Sequence, residues 1–385
     1  MTMPIRSRPG RAAAGWKAIA IATAFLAPLL LLALTLSPPA AAAPPDTGGK
    51  PEVTVMTWNL FFGFDEAPLF EAAATEDPEL IAAAVTRAWG EIQATDFHVR
   101  AQAIAKHVRA AKPDLIGLQE AALYMLFDEY ELPPTKDPAE VIDFVEILRE
   151  ELRAAGLSYE VASSVPNTEV LLPDSLGRGV YILDRDAILM RTGVPPGQQR
   201  LGFLSANNRT YATLVGPDFG FPITIFRGWA SVDVSFKGRS FRFVTTHLED
   251  AGTDPGLTWL QGEQAKELVA GPLNTPMPVI LTGDFNSDGY TKWPTYLYLV
   301  GPPPDGAALK DVWLLTHPRA PGLTWGEDPD LVNPFPRLTQ RLDFVFLQGP
   351  IGVVRADVVG DTRGDRASSG IWPSDHAGLV AKLTP

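Results

Sequence analysis

The stretch Pro278-Val-Ile-Leu-Thr-Gly-Asp-Phe-Asn-Ser-Asp-Gly289 constrains this chain more than any other. Val279 to Leu281 is an apolar run of strand type, and Gly283 ends it. Asp284 and Asn286 then enter a loop closed by Gly289. Two residues apart on extended backbone, their side chains point to the same side. A carboxylate and a carboxamide so placed can grip a metal, a phosphate or an attacking water. They can equally form an Asx-rich turn that caps a strand.

The same design recurs along the chain. Glu52 to Asn59 alternates like a strand and ends in an asparagine. Asp114-Leu-Ile-Gly-Leu-Gln-Glu120 is an apolar strand with a carboxylate at its rim, either a surface terminus or a hard-metal ligand. Phe226 to Phe236 and Ser240 to Leu248 read as a hairpin around Lys237-Gly238, with His247 at the outgoing end. By itself His247 is either a hydrogen-bonded core residue or a catalytic group. Asp343 sits inside the apolar run Leu342 to Leu347, where a carboxylate is costly without a hydrogen-bonding partner. Asp375-His376 precedes a final strand. Asp184 and Asp186, in a segment read as two strands or one bent strand, are taken as structural or turn residues. Tyr159 to Ala162 reads as a short strand.

Other segments define the organisation. Arg6, Arg8, Arg11 and Lys17 precede an apolar run from Ala18 to Leu36, and Ala41 and Ala43 form an Ala-x-Ala pattern. That predicts a signal peptide over 1–43, hence a secreted or periplasmic protein, with an uncleaved membrane anchor as the alternative. Removing its four basic residues takes the formal charge from −13 to −17. So acidic a chain is not built to coat polyanions, although a bound cation can reverse the field locally. Residues 44–50 form a linker, and 51–385 the domain. Within it, 61–96 is a helical insertion, either a cap beside an active-site mouth or, the favoured reading, an extra surface layer. His98 to Ala111 forms a helix with an apolar stripe, and His98 and His107 are read as solvent-facing. Tyr290, Trp293, Tyr296 and Tyr298 suggest either packing under a loop or a platform for a substrate. With no cysteine in 385 residues, zinc-thiolate sites, disulfides and thiol nucleophiles are excluded.

Thr57-Trp-Asn59, Leu118-Gln-Glu120, Thr246-His-Leu248, Gly283-Asp-Phe-Asn286, Arg341-Leu-Asp343 and Ser374-Asp-His376 occur in one order. In that order the chain resembles the endonuclease/exonuclease/phosphatase superfamily, over about residues 51–384. The resemblance implies a four-layer α/β sandwich, two packed mixed β-sheets flanked by helices (DNase I-like). It implies hydrolysis of a phosphate ester with Mg²⁺, or Mn²⁺ in its place. Glu120 would then be the principal metal ligand, joined by Asp375, and Asn59 would hold phosphate or the ion's water. Asp284 would orient or deprotonate the attacking water, with Asn286 fixing it and the phosphate. His376 would contact the phosphate, its tautomer set by Asp343, and His247 would serve as acid or phosphate-oxygen donor. The expected substrate is a nucleic acid, slightly favoured, or a phospholipid head group, the latter with membrane-surface contact. No stable protein partner is implied, and a monomer is expected. A non-catalytic binding protein on the same fold is the alternative from another class.

Overall fold

The computed structural model describes residues 51–194, 200–215 and 224–385. The expected signal peptide and linker lie outside the described residues. The chain opens with β1 (Val53–Asn59), followed by helices α1 (Ala67–Ala74), α2 (Pro78–Ala94) and α3 (Phe97–Ala111). Next come β2 (Leu115–Gln119), β3 (Leu123–Phe127), β4 (Glu140–Asp143) and α4 (Phe144–Ala154). Two long strands, β5 (Tyr159–Pro173) and β6 (Gly179–Arg191), lead to β7 (Gly202–Thr210) and the hairpin β8 (Gly228–Phe236) and β9 (Arg239–His247). Then follow α5 (Pro255–Ala270), β10 (Val279–Asp284), α6 (Pro294–Val300), β11 (Lys310–Asp311) and α7 (Val312–Thr316). The chain ends with β12 (Asp343–Gln348), β13 (Gly352–Val359) and β14 (Gly378–Thr384).

Among the described residues, eight strands form one sheet, in the order β13-β14-β1-β2-β6-β3-β4 with β5 also on β6. Six form the other, β11-β12-β10-β9-β8-β7. Both are mixed, because β1 runs parallel to β2 and β9 parallel to β10. Period-two alternation builds the layers. In β10, Ile280 faces the core between the sheets, while Val279 and Leu281 face the layer containing α5 and α6. In β1, Val53 and Val55 point between the sheets, and Met56 and Trp58 point under α2 and α3. The result is the helix–sheet–sheet–helix sandwich expected from the sequence.

The space between the sheets turns polar towards one end. Gln119 Nε2 donates to Thr245 Oγ1 at 2.7 Å, and Thr57 Oγ1 donates to Gln119 Oε1 at 3.2 Å. All three residues are fully buried. Buried polar groups need such partners, and these bonds fix the strand ends that carry the site.

Several local readings change. The strand predicted to end at Ala162 continues to Pro173 against β6. Asp184 and Asp186 lie inside the single strand β6, and both are buried. His107 is not turned wholly to solvent: its Nε2 lies 3.3 Å from Asp365. The insertion is two helices, with Val85, Ala88, Trp89 and Ile92 buried on α2. Its leading residues Phe61, Phe62, Phe64, Glu66 and Phe70 line the cleft described below. The favoured surface-layer reading of 61–96 is therefore corrected at its leading residues, which wall the cleft as the alternative reading of a cap expected.

Both carboxylate oxygens of Asp186 are buried without a hydrogen-bond partner. Burial, and then Asp184, raise its pKa well above the ordinary carboxylate range. The folded chain thus keeps Asp186 protonated where the unfolded chain ionises it. Stability is lost as pH rises from about 4 towards the raised pKa. Asp186→Asn removes that loss. Thermal melts from pH 5 to 8 should show the variant's relative Tm climbing with pH, at about 2 °C per kcal/mol for a domain of this size. A constant difference would reject the assignment.

Candidate active site

Six strands and loops deliver the polar residues to one cleft of about 430 Å³. Asn59 closes β1, and Glu120 follows β2 with a positive φ of 49°. That backbone conformation is uncommon outside glycine, and it is found here at a side chain turned into the cleft. Asp284, the last residue of β10, stands in register with His247 of β9 on one side and Asp343 of β12 on the other. Three functional groups thus lie side by side on adjacent strands. Gly283, with φ 148°, permits this approach: a Cβ there would lie 2.1 Å from the Thr246 carbonyl oxygen. Asn286 turns back with φ 46°.

The contacts are specific. Asn59 Nδ2 donates to Glu120 Oε1 at 2.8 Å and to Asp284 Oδ2 at 3.0 Å. The second Glu120 oxygen accepts from the Phe62 amide at 2.7 Å. Asp284 Oδ1 accepts from the Asn286 amide at 2.9 Å. Asp284 Oδ2 lies 3.5 Å from His247 Nε2 and 3.6 Å from His376 Nε2. His376 Nδ1 sits 2.8 Å from Asp343 Oδ2. Asp375 accepts from Trp325 Nε1 at 3.2 Å. The eight residues singled out by the sequence converge on this one cleft and its floor.

Their electrostatics divide the two histidines. Burial opposes charge on His376, but Asp343, Asp375 and Asp284 outweigh it and hold its pKa well above the ordinary value. His376 is an imidazolium with Nδ1–H donating to Asp343. Burial, Arg227 and His376 push His247 well below the ordinary value. Its Nδ1 faces Arg227 NH1 at 3.1 Å, so it is a neutral ring accepting from the guanidinium. Asp284 is pushed up to about 7, chiefly by burial and against the pull of His376. Burial and Asp375 raise Glu120 well above the usual carboxylate range.

Two donor sets can be weighed for a cation. Ligand atoms of Asp284, Asp343 and His376 lie within 4.8 Å of one another. There, however, the imidazolium already supplies the positive charge and its Nδ1 is committed to Asp343. Glu120 and Asp375 are half-buried in the cleft lining, and Asp375 disfavours the ionisation of Glu120. A hard divalent cation between such carboxylates offsets their repulsion, so the oxygen-rich set fits the metal better.

Three contributors escaped the sequence reading, and a fourth, Ser374, entered it only as part of a motif with no role of its own. Arg227, buried, lies 3.5 Å from Asp184 and 3.4 Å from Glu249 and backs His247. Trp325 holds Asp375. Ser374 Oγ donates to the Asn59 carbonyl at 2.8 Å, tying the last motif to the first. Arg100, fully buried, donates to the carbonyls of Leu60 and Pro373, which adjoin the first and last motifs. The strong periodicity of α3 was visible, but an arginine on its apolar face was the only signal. Of the aromatic cluster, Trp293 lines the cleft, whereas Tyr296 is buried and stacked on Phe344.

No curated protein sequence matches the chain. Among solved structures, an endonuclease/exonuclease/phosphatase family protein from Leptotrichia buccalis C-1013-b is 15% identical, with 86% of this chain and 99% of that one covered and a TM-score of 0.51. A family protein from Bacteroides thetaiotaomicron is 20% identical, covering 87% and 95%, with a TM-score of 0.50. TDP2 of D. rerio is 17% identical, covering 87% and 99%, with a TM-score of 0.48. At these identities the likeness to the Leptotrichia and Bacteroides proteins speaks for the fold alone. The sequence profile of the Endonuclease/Exonuclease/phosphatase family matches residues 56–376, from within β1 to His376 itself. A match across most of the chain settles membership: this protein belongs to the endonuclease/exonuclease/phosphatase family and is a metal-dependent phosphoric ester hydrolase.

Proposed function

We propose that the chain is an exported phosphodiesterase using Mg²⁺, or Mn²⁺ in its place, to drive in-line attack of water on phosphorus. One observation carries this reading: the Asp284 carboxylate, poised near neutrality, lies among His247, His376, Asn59 and Asn286 in the cleft that Glu120 and Asp375 line. Glu120 and Asp375 would hold the cation, whose charge offsets the negative charge that builds on the phosphate. Asp284 orients the water and takes its proton as the new P–O bond forms. The bond to the alcohol oxygen breaks, and that oxygen takes a proton from solvent. His376 donates Nε2–H to a phosphate oxygen, and Asp343 holds the ring in place. Asn286 and the neutral His247 complete the phosphate cradle, and Arg227 fixes the His247 tautomer.

The ester's alcohol is either a nucleoside or a lipid-type alcohol. Asp65, Glu66 and Asp250 lie along the cleft wall. Burial pushes Glu66 up to about 8 and leaves it largely uncharged, but the Asp65 and Asp250 carboxylates would repel the successive phosphates of a polynucleotide, and this favours the second reading. The test is a hydrolysis screen with Mg²⁺ or Mn²⁺ and an EDTA control. It covers single- and double-stranded DNA, RNA, sphingomyelin, phosphatidylcholine and bis-p-nitrophenyl phosphate. The expected result is cleavage of the nitrophenyl diester that EDTA abolishes. No cleavage of any substrate would reject the hydrolase reading, and DNA as the best substrate would restore the nuclease. Export is tested separately, by a mature N-terminus just after Ala43.

A further inference from the structure

A second cavity of about 270 Å³ opens beside the catalytic cleft, close to the small end of ligand pockets. Its wall is apolar: Phe64, Leu69, Val170, Ile182, Ile225 and Leu257 supply most of it. Leu69 comes from α1, so the insertion forms part of the chamber as well as the cleft wall. The two spaces adjoin, because Phe62, Phe64, Glu66, Phe70, Arg227 and Asp250 line both. At the junction, Arg227 is already held by Asp184 and Glu249 and backs His247, so it offers no free cation to a second anion. A chamber with largely apolar walls, beside the phosphate site and lacking an unpaired cation among the described residues, suits an uncharged apolar group attached to that phosphate.

Resting on the hydrolase reading above, we infer that this chamber is a substrate subsite for the apolar part of the esterified alcohol. The preferred substrates are then phosphodiesters of alkyl-chain alcohols rather than of nucleosides. Each methylene leaving water for such a wall is worth about a fourfold gain in binding.

The test is kcat/KM with Mg²⁺ or Mn²⁺ for 4-nitrophenyl alkyl phosphates from methyl to octyl, with the choline ester alongside. Wild type is compared with Leu257→Trp and Leu69→Trp, which fill the chamber from two separate elements. The expected result is a rise of roughly fourfold per carbon over the first several carbons. Either tryptophan should flatten the series while leaving the methyl ester's rate unchanged. A methyl ester hydrolysed as fast as the hexyl ester in wild type would overturn the inference. So would variants that slow all esters equally, or a choline ester that outruns the alkyl series. Calorimetric titration with methyl and hexyl phosphate reads the chamber without turnover. Hexyl phosphate should bind at least about fiftyfold tighter, allowing for incomplete burial of its five extra methylenes. Such binding without hydrolysis of any ester would reject the hydrolase reading alone. Equal binding of the two phosphates would reject the chamber alone.

Discussion

Glu120→Ala yields a folded protein whose kcat/KM on phosphate esters falls by at least about 10³-fold, the range expected when a metal ligand or a key charge-stabilising group is lost. Its carboxylate is held unfavourably: burial and Asp375 both oppose its ionisation. Removing it relieves that repulsion, so the Tm should stay level or rise as activity vanishes, the exchange typical of strained functional groups. His376→Ala should lose a comparable factor, but with a different stability signature. It strips Asp343 of its 2.8 Å partner, and the other Asp343 oxygen already has none. A buried carboxylate left so costs about 1–3 kcal/mol. Adding Asp343→Asn should return part of that stability and none of the activity. Steady-state kinetics with melting curves on the three variants decide the matter; full activity in purified Glu120→Ala would refute the assignment of the cleft.

Arg100→Met should cost about 3–5 kcal/mol, the scale of breaking a buried charged network. Arg100 Nε donates to the Thr95 carbonyl at 3.0 Å, and its terminal nitrogens reach the carbonyls of Leu60 at 2.5 Å, Phe61 at 3.3 Å and Pro373 at 3.2 Å. Its guanidinium also lies 4.8 Å from the Phe97 ring centroid and 5.3 Å from that of Phe144. Leu60 follows Asn59, and Pro373 precedes Ser374-Asp375-His376, so one planar fork clamps two motif-bearing loops. Burial lowers its pKa only to about 10, which leaves it charged at neutral pH. The variant should therefore lose activity as well, about tenfold to a hundredfold, because small displacements of aligned groups are costly. Arg100→Lys should recover little, since an ammonium lacks the fork that spans four carbonyls. Denaturant unfolding reads the first effect, and kcat on a small diester reads the second. An Arg100→Met protein as stable as wild type would remove the clamp from the account.

Much of the site was legible in the one-dimensional pattern. Val279 to Asp284 alternates between two cores as the period-two reading requires, and the polar residues at the ends of such strands do meet. The insertion was harder to place. Its helical character was visible in the spacing of Leu80, Ile81, Ala84, Val85 and Ala88, but nothing in that spacing says what the preceding Phe62, Phe64 and Glu66 will face. The positive φ at Glu120 was equally silent, because glutamate does not advertise that conformation as the asparagine at 286 does. Arg227 and Arg100 were passed over because arginine is seldom fully buried.

The order of apolar strands, their polar termini and the lack of cysteine were properties of the sequence itself. They follow from local periodicity and side-chain chemistry, which hold wherever the chain is read. Three further features came only from the tertiary structure. These are the separation of the two histidines into a charged and a neutral ring, the clamp of Arg100, and the apolar chamber beside the cleft. Each depends on groups brought together from distant positions into a water-poor interior, where burial and a few ångströms of separation set charge and shape.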